Sequence, residues 1–277
     1  MTDIKIPLAG VIGSPIAHSR SPKLQTHWLR TLGLRGHYVP MDVATADLAH
    51  VIQTLPKMGF VGVNITIPHK ETVMDIADLV TDRATMIGAA NTLIFRKDGK
   101  VHADNTDGYG FYENLKNGAP NWTPHSGPAA VLGAGGAARA VVASLLDAGV
   151  PEVLIANRTR IRAEKLASEL GSRVTVVDWV QAPNMLDEAT LLVNTTSLGM
   201  TGKAELRIPM DGLRPEMVVT DLVYTPLKTG LLAQAEAAGC TTVDGLGMLL
   251  YQAVPGFERW FGMRPEVDSA ARAAALR

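Results

Sequence analysis

A glycine-rich turn between an apolar run and an alanine-rich run does most to limit what this chain can become. Ala129–Leu132 reads as a short buried strand, Gly133-Ala134-Gly135-Gly136-Ala137-Ala138 follows at once, and the residues to about Ala148 read as a helix. Glycine permits a tight turn and lets bare amides approach a phosphate. A helix N-terminus adds orphan N–H groups and a partial positive charge. The pattern keeps G-x-G and puts Ala138 where the last glycine of the dinucleotide fingerprint stands, a replacement the fingerprint allows. Strand-like and helix-like runs alternate on either side. Leu8–Ile12, His37–Val43 and Phe60–Ile65 read as strands, with helices over Pro22–Leu32, Leu48–Met58 and Lys70–Leu79; Asn91–Phe95 and Val101–Ala103 flank Asp98-Gly99 as a hairpin. Further on, Val153–Ala156, Val174–Val177, Leu191–Asn194 and Val218–Leu222 read as strands and Ile161–Leu170 as a helix. Such alternation builds parallel sheets with helices on both faces. The expected class is α/β with two domains, the second Rossmann-like. The boundary is expected near residues 108–128, where Gly118, Pro120, Asn121, Pro124, Gly127 and Pro128 make a linker or wide turn, and the final helical pattern, Leu246–Phe261, is expected to pack back on the first domain.

Composition removes several function classes. In 277 residues the net charge is −1, which gives no basic excess for the phosphates of a nucleic acid. No apolar run approaches the ~20 residues that span a bilayer. One cysteine, Cys240, excludes an internal disulfide framework, and the seven histidines show no paired ligand spacing, so no metal site is expected. There is no G-x-S-x-G elbow for a serine hydrolase. Met1-Thr2-Asp3-Ile4-Lys5 lacks the basic start of a secretion signal, so a cytoplasmic protein is expected.

The strand after the glycine turn identifies the dinucleotide. An NAD site usually ends this strand in Asp or Glu, which accepts from the ribose 2′-OH. Here it ends Ile155-Ala156-Asn157-Arg158-Thr159, with Arg162 one turn into the helix. Two guanidiniums suit a 2′-phosphate, and as a merely solvated pair they would sit awkwardly at the positive end of a helix. The residues point to NADP(H).

Four segments in the first half are unusually polar. Gly13-Ser14-Pro15-Ile16-Ala17-His18-Ser19-Arg20-Ser21-Pro22 follows the first strand, at the carboxyl edge where α/β sheets bind ligands. Ser19 and Ser21 can donate to a carboxylate, and Ser21 reads equally as a helix N-cap. Asn64-Ile65-Thr66-Ile67-Pro68-His69-Lys70 follows the third strand, with Asn64 and Thr66 on one face by alternation. Lys70, at the expected start of a helix, gains nothing there from solvent and suits acid–base work; His69 reads as incidental. Gly88-Ala89-Ala90-Asn91-Thr92 and Asp104-Asn105-Thr106-Asp107-Gly108 supply small residues and hydrogen-bonding groups, and either Asp104 or Asp107 can orient the Lys70 ammonium. Both segments also read as turns and caps.

Together these segments make the chain resemble the shikimate dehydrogenase family essentially end to end. Glu71, Asn194-Thr195-Thr196-Ser197-Leu198-Gly199-Met200, Tyr224-Thr225-Pro226 and Gly245-Leu246-Gly247-Met248-Leu249-Leu250-Tyr251-Gln252 add to the match. The resemblance implies NADPH-linked reduction of 3-dehydroshikimate to shikimate on the route to chorismate and aromatic amino acids. It implies a substrate-binding domain over 1–108, joined by about 246–277, and an NADP-binding domain over 109–245. Lys70 and Asp107 are then the catalytic pair. Ser19, Ser21 and Tyr224 take the carboxylate end, Asn91, Asp107 and Gln252 hold ring hydroxyls, and Thr66 also surrounds the substrate. The cofactor is lined by Gly133, Ala134, Gly135, Gly136, Ala137, Asn157, Arg158, Thr159, Arg162, Leu222, Gly245 and Met248. Asp82 is added by the resemblance alone. Ser14 and His69 depart from the asparagine and phenylalanine common in the family. The expected partner is a small molecule, not a nucleic acid or a membrane, and a homodimer is compatible with the sequence. Three alternatives stay open: a quinate or aminoshikimate dehydrogenase of the same family, another two-domain NADP enzyme such as methylenetetrahydrofolate dehydrogenase, and a silent NADP-binding protein.

Overall fold

The structure is a computed structural model that describes residues 6–277; the opening Met1–Lys5 lies outside the described residues. The chain forms two compact units. One runs to Thr106 and resumes with Leu250–Arg277; the other is Asp107–Leu249.

The first unit begins with β1 (Leu8–Gly13), α1 (Ser21–Thr31), β2 (His37–Asp42), α2 (Leu48–Thr54) and β3 (Phe60–Ile65). It continues through β4 (Leu79–Val80), α3 (Asp82–Ile87), β5 (Thr92–Phe95) and β6 (Val101–Asp104). Its sheet has the order β2-β1-β3-β5-β6-β4. β1, β2 and β3 run parallel, and β5 and β6 form the antiparallel hairpin around Asp98-Gly99. One face is closed by Ile12, Val63, Ile65 and Leu93 against Leu48 and Ile52 of α2.

Two local expectations are corrected. The Lys70–Leu79 segment is not an α-helix. It holds one 3₁₀ turn, Thr72–Asp75, because its end is captured by β6: the Asp78 amide donates to the Val101 carbonyl, the Val101 amide donates to the Asp78 carboxylate, and Leu79–Val80 joins the sheet. Lys70 therefore sits in a turn, and no α-helix dipole bears on it. Nor is Ser21 an N-cap. The cap position of α1 is Arg20, with no side-chain cap bond, and Ser21 is the first residue inside the helix.

The second unit contains α4 (Asp107–Gly118), β7 (Ala129–Leu132), α5 (Gly136–Ala148), β8 (Val153–Ala156), α6 (Arg160–Leu170) and β9 (Val174–Val177). After a long 3₁₀ stretch, Trp179–Asp187, come β10 (Leu191–Asn194), β11 (Val218–Asp221), α7 (Gly230–Ala237) and β12 (Thr241–Val243). Every strand pair is parallel, in the order β12-β11-β10-β7-β8-β9. The order reverses between β7 and β10, so the crevice outside their carboxyl ends is where such a sheet takes a ligand. The Pro- and Gly-rich stretch of residues 117–128 lies inside this unit.

The expected Leu246–Phe261 helix is two helices, α8 (Leu246–Tyr251), which carries the chain back to the first unit, and α9 (Ala253–Phe261); α10 (Ser269–Leu276) follows. The closing helices do pack on the first unit. Trp260 of α9 donates through Nε1 to the Leu93 carbonyl at 3.1 Å, Phe257 meets Trp28 edge-on at 5.5 Å, and Arg20 reaches the Ala275 carbonyl at 2.8 Å.

Candidate active site

In the first unit the polar segments converge at the carboxyl ends of β1 and β3. Backbone bonds pin the loops after these strands together: Ser14 N–H donates to the Ile67 carbonyl at 3.1 Å, and Thr66 N–H to that of Ile12 at 2.9 Å. The Thr66 methyl fills the place where a side chain on Gly13 would stand. Ser19 Oγ lies 3.4 Å from the Ser21 amide. Lys70 is half-buried, and its carbonyl accepts from Ala90 N–H at 2.8 Å, which sets it beside the Asn91 segment. Asn91 is buried and donates through Nδ2 to Gln252 Oε1 at 3.2 Å. The structure thus gathers Ser19, Ser21, Thr66, Lys70, Asn91 and Gln252 in one unit. It places Asp107, the first residue of α4, and Tyr224, just beyond β11, in the other. Asp82 is exposed in the first turn of α3 and belongs to the first unit, apart from the remaining cofactor set in sequence and in unit.

Beneath the named residues lies a buried network that sequence reasoning missed. Tyr38 donates its phenol hydrogen to Asn64 Oδ1 at 2.7 Å. Asn64 Nδ2 donates to the Asn91 carbonyl at 3.1 Å and to Thr92 Oγ1 at 3.2 Å. Asn91 Oδ1 accepts from the Thr106 amide at 2.9 Å, and Thr106 Oγ1 lies 2.8 Å from the Gln252 carbonyl. Asn64 had a signal, a polar residue on an otherwise apolar strand. Tyr38 had none, because tyrosine is ordinary on a strand. His69 is wholly buried, with Nε2 2.7 Å from the Val43 carbonyl, so that nitrogen carries the hydrogen and the ring braces the backbone ahead of Lys70.

Asp104 has a structural task. Its carboxylate is clasped by the Arg83 guanidinium and accepts from Thr81 Oγ1 and the Asn105 amide. Burial pushes this carboxyl up, but the Arg83 and Thr81 bonds outweigh it and hold it below the ordinary carboxylate value. In the second unit, Asp221 is the opposite case. Burial raises its carboxyl despite bonds from Thr229, Val223 N–H and Asn194. Those bonds pin both ends of the loop that carries Tyr224.

The cofactor set of the second unit fits a dinucleotide phosphate. Gly133 has φ +106, and a Cβ there would strike Thr195 Oγ1 at 2.6 Å, so only glycine serves. Gly135, Gly136 and Ala137 are exposed, and no atom lies within 4 Å of where a Cβ on either glycine would project. The α5 N-terminus has no side-chain cap and no acid in its first turn, so its orphan amides face open space. At the end of β8, Asn157 Nδ2 folds back to the Thr159 carbonyl at 2.8 Å. Arg160 is held by Glu164 and Asp178. Arg158 and Arg162 flank it, both exposed, and neither has an ion-pair partner among the described residues. Two uncommitted guanidiniums with no acid at the strand end match a 2′-phosphate, not a free 2′-hydroxyl. Gly245 packs so closely on Leu222 that a Cβ would meet the Leu222 carbonyl at 2.3 Å, and Ala134, Leu222 and Met248 edge one apolar cluster. Among the described residues no group of His, Cys, Asp and Glu is placed to hold a metal ion, and no helix is long and apolar enough to cross a membrane.

Known proteins are similar to this chain in sequence and fold. Residues 11–93 match the family described as shikimate dehydrogenase substrate binding domain, 123–202 that described as shikimate / quinate 5-dehydrogenase, and 245–275 that described as shikimate 5′-dehydrogenase C-terminal domain. A curated shikimate dehydrogenase (NADP(+)) from Cereibacter sphaeroides is 68% identical over 273 residues, covering 99% of this chain and 98% of its own. A Thermus thermophilus shikimate 5-dehydrogenase solved with NADP(H) and shikimate is 39% identical over 98% of each chain, with a TM-score of 0.86. A quinate dehydrogenase from Corynebacterium glutamicum solved with NAD is 32% identical, covers 97% of this chain and 98% of its own, and has a TM-score of 0.90. Similar throughout its length to proteins of one kind, the chain belongs to the shikimate dehydrogenase family.

Proposed function

We propose that this chain catalyses the reversible reduction of 3-dehydroshikimate to shikimate with NADPH, in the cytoplasm, as a step toward chorismate and the aromatic amino acids. The observation that carries this reading is the wall of uncharged donors and acceptors, Asn91 and Gln252, built on a buried network beside Lys70. Such a wall suits a small ring bearing hydroxyls and one carboxylate. In this reading the first unit takes the substrate and the second the cofactor. Ser19, Ser21 and Tyr224 receive the carboxylate; Thr66, Asn91, Asp107 and Gln252 receive the ring. Asp82 is assigned to the cofactor by family resemblance. The reading needs neither a nucleic acid nor a membrane, and a homodimer is compatible with it.

NADPH, when bound, supplies the hydride that reduces the carbonyl carbon. Negative charge then builds on the carbonyl oxygen. The Lys70 ammonium stabilises that charge and delivers the proton that completes the hydroxyl, and Asp107 holds the ammonium and a neighbouring hydroxyl in line. In the oxidative direction Lys70 accepts the hydroxyl proton. The second unit's amides at residues 135–137 hold the pyrophosphate, and Arg158 and Arg162 hold the 2′-phosphate.

The test is a panel of shikimate and quinate, each with NADP+ and with NAD+, followed by nicotinamide absorbance. Shikimate with NADP+ is expected to give the highest kcat/KM, by at least about tenfold, the scale of losing one charged contact. A preference for quinate with NAD+ overturns the reading.

A further inference from the structure

The buried network behind Asn91 and Gln252 has a direction. Strand register lays it down: Asn64 of β3 stands directly opposite Thr92 of β5 in an antiparallel pair, so the two side chains share one face of the sheet. Asn91 precedes Thr92, and Thr106 follows the end of β6. Asn64, Asn91, Thr92 and Thr106 are all buried, so their polar atoms find their partners inside the protein.

Backbone groups, whose polarity cannot change, fix both side-chain amides. The Asn91 carbonyl only accepts, so the Asn64 atom 3.1 Å from it is the nitrogen, and Asn64 Oδ1 accepts from Tyr38. The Thr106 N–H only donates, so the Asn91 atom 2.9 Å from it is the oxygen. The Asn91 nitrogen is thereby turned to Gln252, which must answer with Oε1, at 3.2 Å. Thr92 stands between the two fixed amides. Its Oγ1 accepts from Asn64 Nδ2 at 3.2 Å and lies 3.0 Å from Asn91 Oδ1 and 3.3 Å from Thr106 Oγ1. The Thr106 hydroxyl lies 3.0 Å from Asn91 Oδ1 but only 2.8 Å from the Gln252 carbonyl, and the shorter contact takes its one hydrogen. By the same rule the Thr92 hydrogen goes to Asn91 Oδ1. Donation therefore runs one way, from Tyr38 through Asn64, Thr92 and Asn91 to Gln252.

We propose that Thr92 is a positioning residue for the reaction: it carries the polarity of Asn64 to Asn91, so that the wall offers amide hydrogens, those of Asn91 and Gln252, to the oxygens of the substrate ring. A ring hydroxyl that meets this wall accepts there. The terminal torsion of asparagine is broad, so one bond to Oδ1 leaves the amide room to swing, and the second bond, from Thr92, narrows it. Without the Thr92 hydroxyl, Asn91 Oδ1 loses that bond and a buried Asn64 hydrogen loses its acceptor, which is the costly half of the change. The ring is then held less well, while proton transfer at Lys70 is left nearly as it was. The proposal rests on the assignment of Asn91 and Gln252 to the substrate ring given above.

The test compares Thr92→Val, which keeps the branched shape and loses the hydroxyl, with Thr92→Ser, which keeps the hydroxyl. Thr92→Val is expected to raise KM for shikimate about tenfold, with a change of less than about threefold in kcat and in KM for NADP+. Thr92→Ser is expected to stay within about threefold of the parent in all three. A shikimate KM unchanged in Thr92→Val, equal rises for both substrates, or a serine variant as impaired as the valine one would each overturn the proposal. Asn91→Ala separates it from the reading beneath: an inert Asn91→Ala overturns both, and an effective one beside an inert Thr92→Val overturns the proposal alone. If Thr92→Val does not fold, the parent protein decides. With asparagine labelled at the side-chain nitrogen, the Asn91 amide hydrogens, assigned by their absence from Asn91→Ala, are expected to move downfield on adding shikimate, and resonances that stay put sink the idea.

Discussion

In the proposed reaction Lys70 owes its role to its surroundings, not to a special position in a helix. It sits in a turn, fastened through its carbonyl to Ala90 and preceded by the wholly buried His69. Lys70→Ala should cut kcat by roughly a hundred- to ten-thousand-fold, the usual worth of a proton-transfer group, and change shikimate binding only modestly. Unaltered kcat in that variant removes Lys70 from the chemistry. Arg158→Ala should raise KM for NADP+ by about tenfold or more and leave KM for NAD+ nearly unchanged, since only the former carries the phosphate; equal effects refute the 2′-phosphate assignment. At this scale the sequence was legible where chemistry demanded a residue type. Gly133 stood in the fingerprint between a strand and a helix, and Arg158 and Arg162 sat against the positive end of a helix, which is why they were proposed. Tyr38 and Thr106 broke none, so their roles emerged only when the fold brought them to Asn64, Asn91 and Gln252.

Elements were readable where one period dominated. The parallel strands of the second unit are short apolar runs followed by helices, and the sequence located β7, β8, β9, β10 and β11. It misread residues 70–79, where helical spacing lost to capture by β6, and it passed over α3, α7, β12 and α10, whose patterns are brief or alanine-rich. The contact of α9 with the first sheet is tight enough to test. A Cβ on Gly62 would fall 2.0 Å from Trp260 Nε1 and 2.3 Å from the Leu93 carbonyl, the two atoms that bond each other. Gly62→Ala should lower unfolding stability by at least ~2 kcal/mol, measured by urea titration, because overpacking and a broken buried bond add. The Arg83–Asp104 clasp sets an acid limit. Asp104 has its folded value below its unfolded one, so its contribution is complete above about pH 4 and is lost as pH falls through the folded value. Urea midpoints measured downward from pH 5 should fall more steeply for the parent than for Asp104→Asn. Asp221, raised by burial, acts with the opposite sign: its contribution weakens as pH rises through its range.

For the molecule as a whole, the chain leaves the first unit at Thr106, builds the second, and returns at Leu250. The composition and the alternating strands and helices announced two α/β bodies. They did not announce so well where one stops, because the Pro- and Gly-rich stretch of residues 117–128 looks like a joint and lies inside the second body. A chain cut after Leu249 should keep the second unit's cooperative melting and its binding of NADP+, seen by calorimetry, and lose the first unit's transition, since Trp260, Phe257 and Ala275 supply contacts that the first sheet and α1 need. Intact first-unit melting in that truncation would mean the closing helices are ornamental. The discontinuity also has a temporal side. A ribosome releases the amino end first, so β1 to β6 emerge with no α9 to cover one face and must wait until residues 253–261 have been made. Whatever escorts a nascent polypeptide is therefore needed longest by the half that was made earliest.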